Sequence, residues 1–145
     1  MFIPEEQYNE ILGLLPICCV DIVIKHQRYN KVLIIKRGES ETYGGSWWIP
    51  GGRVHKGESW NVAVKRKALE ETGLNVEILY KVQSYEAPEA DDKHFVTTLF
   101  VTLVVGDSEV ELDNTSSDYR WVDSMDDSWN SLLQQMLRDA EAFDV

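Results

Sequence analysis

The stretch Gly52–Leu74 reads GRVHKGESWNVAVKRKALEETGL, and it decides the fold. A glycine-led loop runs into a segment whose start and stop are both marked. Ser59 is a good N-cap, because its hydroxyl accepts from an amide of the first helical turn. Gly73 suits the left-handed position just past a helix end. A helix is therefore expected from Ser59 through Glu71. Arg66, Lys67, Glu70 and Glu71 lie three and four residues apart and share a face. Glu70 and Glu71 are hard oxygen donors of the kind that Mg2+ or Mn2+ takes. A carbonyl of Gly51 or Gly52 adds an uncharged donor. A phosphate chain completes such a shell, since magnesium uses few carboxylates together with water and substrate phosphates.

Outward from this segment, strands flank the helix on both sides. Ile17–Lys25 (ICCVDIVIK) is β-branched and apolar, interrupted by Asp21, and Val32–Arg37 (VLIIKR) reads as its returning strand. Residues 38–46 form a polar loop, and Trp47–Pro50 is a short apolar piece before Gly51 and Gly52. Val76–Tyr85 and His94–Val105 read as long strands, with a short one at Asp118–Asp123. Glu5–Leu15 is a candidate short helix. A final helix is expected over Ser128–Phe143, where Trp129, Leu132, Leu133, Met136, Leu137 and Ala140 make one apolar stripe. This order predicts an α/β fold with a mixed sheet between helices, as a single domain over residues 1–145.

The 145 residues are 43% hydrophobic and 27% charged, a globular composition. The net charge of −11 opposes binding to nucleic acid or anionic lipid. It leaves room for one small phosphate ligand where arginines or metal invert the local field. No apolar run reaches the length of a membrane span, and the amino terminus lacks the basic start of a secretory signal. The expected setting is cytoplasmic. Cys18 and Cys19, adjacent on a strand, point to opposite faces and are poorly placed to bridge. They are expected to be buried thiols in a reduced compartment.

The segment resembles the Nudix box: Gly, five residues, Glu, seven residues, Arg-Glu, an aliphatic, any residue, Glu-Glu, any residue, Gly, aliphatic. Gly52, Glu58, Arg66, Glu70, Glu71, Gly73 and Leu74 fall in register. Two positions depart, Lys67 for the glutamate of the Arg-Glu pair and Ala68 for a larger aliphatic. The resemblance implies the Nudix fold, an α/β/α sandwich. It also implies hydrolysis of a nucleoside diphosphate linked to another group, dependent on Mg2+ or Mn2+. By the same resemblance Glu70, Glu71 and the Gly51 carbonyl are metal ligands, Arg66 holds a carboxylate by an ion pair, and Glu58 is structural. Lys67 sits i,i+3 from Glu70 and i,i+4 from Glu71, so its charge should disfavour a multi-metal cluster.

A wider likeness runs through MFIPEEQY, LPICCVDIVI, KRGESETYGGSWWIPGGRV and SDYRWVD. These stretches look like the GDP-mannose mannosyl hydrolase subgroup. That likeness implies that Arg37 and Arg53 contact the diphosphate, a use that suits bidentate, permanently charged guanidinium groups. The subgroup attacks the anomeric carbon with a glutamine ligand and a histidine base from a late loop. Here Thr115 and Ser116 stand at those places, and neither is a base at neutral pH. Glu70, which the subgroup lacks, is present. Attack at phosphorus is therefore expected, with the base drawn from Glu86, Glu89, Asp91, Asp92 or His94. Trp47 is expected in the core and Trp48 on the cleft wall, available to substrate. The expected partner is a small-molecule nucleotide such as a GDP-sugar, with a homodimer possible from the family. Two alternatives stay open: pyrophosphate cleavage of ADP-ribose or nucleoside triphosphates, and a non-catalytic nucleotide sensor.

Overall fold

The computed structural model describes residues 2–41, 44–90 and 93–144, with side chains other than those of 88–90. Its elements are α1 (Glu5–Leu12), β1 (Ile17–Lys25), β2 (Val32–Arg37), β3 (Trp47–Trp48), β4 (Gly51–Arg53) and α2 (Trp60–Thr72), then β5 (Asn75–Ala90), β6 (Lys93–Val105), β7 (Ser116–Val122) and α3 (Ser131–Asp139). The sheet is mixed, in the order β3-β2-β1-β6-β5, with β4 added to β1 and β7 to β2. β1 and β6 run parallel from Ile17↔Phe95 to Lys25↔Leu103.

The largely apolar, β-branched character of β1, β2 and β6, interrupted in β1 by Asp21, follows from burial on both faces. Val20, Ile22 and Ile24 of β1, Leu33 and Ile35 of β2, and Phe100 and Val104 of β6 join Ala63, Val64 and Ala68 of α2 in one cluster. The alternate residues Val23, Val32, Ile34, Leu99 and Val101 join Leu133, Met136 and Leu137 of α3 in the other. The two clusters make an α/β/α sandwich. Each fully buried Leu or Ile contributes roughly 1.5–3 kcal/mol by leaving water.

The ends of α2 are built as the sequence implies. The Ser59 hydroxyl accepts from the Val62 amide at 3.2 Å, and Gly73 has φ +72° while its amide donates to the Leu69 carbonyl. The loop before α2 is pinned to it. Arg66 Nε donates to Glu58 Oε2 at 2.6 Å and Nη2 to Glu58 Oε1 at 2.9 Å. The guanidinium holds the Glu58 carboxyl down at about 2.

Three expectations need correction. α3 starts at Ser131 rather than Ser128, because Asp126 accepts from both the amide and the hydroxyl of Ser128 and closes a local turn. Asn130 then caps the helix by accepting from the Leu132 amide. Trp129 and Ala140 still pack on the core from outside the helix. β5 runs on to Ala90, with register irregularities at Ile78/Tyr80, Lys81/Ser84 and Ala87/Ala90 against β6. The cysteines are free thiols, but Cys18 is exposed and Cys19 half-buried, since after Ile17 the continuously buried stretch of β1 starts at Val20. Among the described residues no helix is long and apolar enough to cross a membrane.

Two stability outcomes follow. A Cβ at Gly73 would meet Glu111 Cβ at 3.1 Å, whereas one at Gly57 (φ +80°) would meet nothing within 4 Å. Gly57→Ala should cost about 1–2 kcal/mol of left-handed strain alone. Gly73→Ala should cost more, as measured by urea unfolding. The second outcome concerns acid. Because the folded pKa of Glu58 lies below its ordinary value, its contribution is complete above about pH 4.5 and is lost as pH falls through about 2. Glu58→Gln should flatten the fall of Tm across that window, and an unchanged acid profile would refute the assignment.

Candidate active site

A change of strand partners opens the site. β1 and β2 pair at Lys25 and Val32. Further along, β1 takes β4, with Cys19↔Arg53, Val20↔Gly52 and Asp21↔Gly51. β2 turns instead to β3 and β7. A cavity of about 320 Å³ lies where the partners part. Asp21, Arg37, Trp48, the Gly51 to Arg53 segment, and Lys67 and Glu71 from α2 are among the residues that line it, with Tyr8 of α1, Glu41, Thr115, and Lys93 and Thr97 of β6.

The helix face divides its two glutamates. Glu71 points into the cavity with its side chain 3% exposed, and its Oε1 accepts from the Gly51 amide at 3.4 Å. Burial pushes its carboxyl above the usual carboxylate range, opposed by Lys67 and Arg37. Glu70 does not line the cavity. It is 48% exposed and bonded to Arg66 Nη1 at 3.2 Å. The expectation of two equivalent carboxylates is thus modified, because adjacent helix positions point about 100° apart. Lys67 joins the pair, with Nζ 3.1 Å from Glu71 Oε2 and 3.5 Å from Glu70 Oε2. Its side chain is 16% exposed and faces the cavity. Arg66 faces away from any ligand: its groups go to Glu58, Glu70 and the Arg53 carbonyl, the last at 3.0 Å. It is a positioning residue that ties the loop to α2.

Arg37 and Arg53 both reach the cavity. Arg37 Nε is buried without a hydrogen-bond partner among the described residues, an arrangement that an anionic ligand would satisfy. Arg53 lies over the Tyr8 ring, 4.9 Å from its centre, which fixes the direction of the guanidinium. Thr115 Oγ1 donates to Asp113 Oδ1 at 2.6 Å, and the neighbouring Ser116 Oγ is buried without a partner among the described residues. Neither hydroxyl is a base at neutral pH.

Asp21 was legible only as an interruption of an apolar strand. It is buried in the cavity wall, accepting from Thr97 Oγ1 at 2.6 Å and Trp48 Nε1 at 3.3 Å. Burial raises its carboxyl, with the Thr97 bond, the Arg37 charge and the Trp48 bond pulling the other way. Trp48 lines the cavity, as expected of a cleft-wall residue, while 4% exposed and packed on the core, and its indole N–H donates to Asp21. Trp47 is the more open of the two and carries the Arg120 guanidinium 4.5 Å from its ring centre. Of the candidate bases, Glu86 is exposed, and His94 Nε2 is buried without a partner. Neither lines the cavity. Asp91 and Asp92, and the Glu89 side chain, lie outside the described residues.

A second hollow of about 600 Å³ is larger but ill suited to phosphate. Asp123, Asp126 and Asp127 line it with Arg120, and no residue of the Gly52–Leu74 segment reaches it. The smaller cavity carries four basic side chains, Arg37, Arg53, Lys67 and Lys93, against three acidic ones, Asp21, Glu41 and Glu71. That balance contrasts with a net charge of −11 for the whole chain.

The donors fit one divalent ion better than several. Glu71 is a carboxylate in the cavity with the Gly51 backbone beside it. No group of three or more His, Cys, Asp or Glu side chains suited to metal occurs among the described residues. Magnesium tolerates so few carboxylates when substrate oxygens and water complete its shell.

Comparison with known proteins agrees with this geometry. The NUDIX domain family model matches residues 17–139. The low-salt glycan biosynthesis protein Agl8 of Haloferax volcanii is 33% identical over 122 residues, covering 79% of this chain and 76% of that protein. An ADP-ribose pyrophosphatase of Methanocaldococcus jannaschii is 35% identical over 96 residues, 66% of this chain and 55% of that one. Among solved structures, the MutT protein from Methanosarcina mazei superposes with a TM-score of 0.73 at 25% identity, covering 91% of this chain and 99% of the other. Members of this family act on small-molecule nucleotides and generally use divalent metal ions. With a matching box on a capped helix, a cationic cavity beside it and a family match over most of its length, the chain belongs to the Nudix family and is a Nudix hydrolase.

Proposed function

We propose that this enzyme hydrolyses a nucleoside diphosphate linked to a sugar, such as a GDP-sugar, by attack of water at phosphorus. The observation that carries the reading is the cationic cavity on an acidic protein, with the buried Arg37 Nε unpartnered beside the Glu71 carboxylate. A diphosphate meets both needs, since guanidinium forks bind its oxygens bidentately. The relatives named for glycan biosynthesis and for ADP-ribose support a sugar-bearing ligand.

Arg37 and Arg53 clamp the diphosphate, and Tyr8 keeps Arg53 aimed at it. Glu71, with the Gly51 carbonyl, is the proposed holder of Mg2+ or Mn2+, an ion that neutralises phosphoryl charge and acidifies a bound water. Glu70 has a lesser share in that role, because it does not line the cavity and is bonded to Arg66. Thr115 and Ser116 supply no base for attack at the anomeric carbon, which supports the phosphorus route. A reduced, cytoplasmic setting is part of the same reading and is supported by the two free thiols.

Hydrolysis of a panel of nucleotide sugars in ¹⁸O water tests the bond cleaved. Label in a phosphate product, with a nucleoside monophosphate released, is expected; label only in the sugar would refute attack at phosphorus. Glu71→Gln should lower turnover at least about a hundredfold, the upper end of what outer-shell changes cost, and more than Glu70→Gln. Equal effects would return the two glutamates to equivalent roles. Arg37→Lys keeps charge but loses the fork. It should weaken kcat/KM roughly ten- to a hundredfold, the worth of one charge-assisted hydrogen bond.

A further inference from the structure

Lys67 stands where the box otherwise carries a carboxylate, and its side chain is ordered around that place. Its stem lies on Gly52 so closely that a Cβ there would meet Lys67 Cε at 2.5 Å and Nζ at 3.1 Å. The ammonium is then delivered between Glu71 at 3.1 Å and Glu70 at 3.5 Å. A lysine carries three donors, and two are accounted for by these carboxylates. The group lines the same cavity as Arg37 and Arg53, so its remaining N–H has a polyanion site to face. An ammonium in this position does part of what a bound cation does. It neutralises the buried Glu71 and presents positive charge to the cavity.

We propose that Lys67 is a resident cation of the diphosphate site, whose ammonium contacts the diphosphate directly and lets the enzyme bind it without metal. The proposal rests on the nucleoside-diphosphate reading of this cavity. It assigns Lys67 to substrate rather than to a surface ion pair. It also implies that the cavity is organised before any divalent ion arrives, since Glu71 is already paired and Arg37 is already directed inward.

The test is calorimetric binding of inorganic pyrophosphate and of ADP to the full chain in EDTA, repeated with Mn2+. Wild type should bind both probes in EDTA. Lys67→Gln removes the charge yet keeps a donor for Glu71, and should weaken that binding about tenfold or more. Lys67→Arg should retain most of it. Lys67→Glu should lose binding in EDTA and recover it with Mn2+, because the position changes from cation to metal ligand. Melting curves establish that each variant is folded. Wild-type affinity in EDTA for Lys67→Gln or Lys67→Glu overturns the role of Lys67 while leaving the diphosphate reading standing. Failure of wild type to bind either probe in EDTA, with binding in Mn2+, likewise overturns it. A wild type that binds neither probe under any metal condition overturns the diphosphate reading itself.

Discussion

β1 must satisfy both faces and both edges of the sheet at once, and the rest of the molecule is arranged around that demand. Its parallel ladder to β6 runs its full length on one edge. The other edge is shared, with β2 at one end and β4 at the other. Its alternate residues feed the two clusters under α2 and α3. Because the shared edge cannot be closed by one strand throughout, the sheet parts there. The cavity is the result, and it opens inside a rigid framework rather than on a loop. Asp21 is the one charged residue in the interior of β1, and it sits where the strand changes partner.

Electrostatics then explains how an acidic protein carries a locally basic cavity. The acidic surplus lies mostly on exposed surface, where water screens it. In the cavity charges are fewer, closer and less hydrated, so each counts for more. Glu71 is matched by Lys67, Asp21 by hydrogen bonds from Thr97 and Trp48, and Glu58 by Arg66. Breaking a buried pair of this kind by removing one partner typically costs about 3–5 kcal/mol. Arg37 is the contrast, with a buried Nε that no group among the described residues satisfies.

Much of this was readable from local chemistry. The bounds of α2, its serine cap and its glycine stop depend on residues within about two turns, and spacing reveals them; the Arg66 ion pair was implied by the family resemblance. The strands were readable because β-branched runs leave few alternatives. What escaped depends on contacts distant in sequence. Asp21 and Thr97 are 76 positions apart, so no motif announces their bond. Tyr8 meets Arg53 only because α1 folds over β4. Glu70 and Glu71 look equivalent as a dipeptide and differ only once the helix has been set against Gly51. The late start of α3 was hidden in a polar stretch, where Asp126 draws Ser128 into a turn before the helix begins.

The contact between Gly52 and the stem of Lys67 has a consequence for how this site can change. The two positions are fifteen residues apart, on β4 and on α2, yet they occupy one volume. A side chain gained at 52 would displace the ammonium, and a shorter residue at 67 would leave a void over the glycine. Their substitutions should therefore be strongly epistatic. A loop transplanted from a relative without its matching helix would carry the glycine but not the geometry that the glycine protects. For re-engineering this enzyme toward other leaving groups, the unit to exchange is the loop and α2 together.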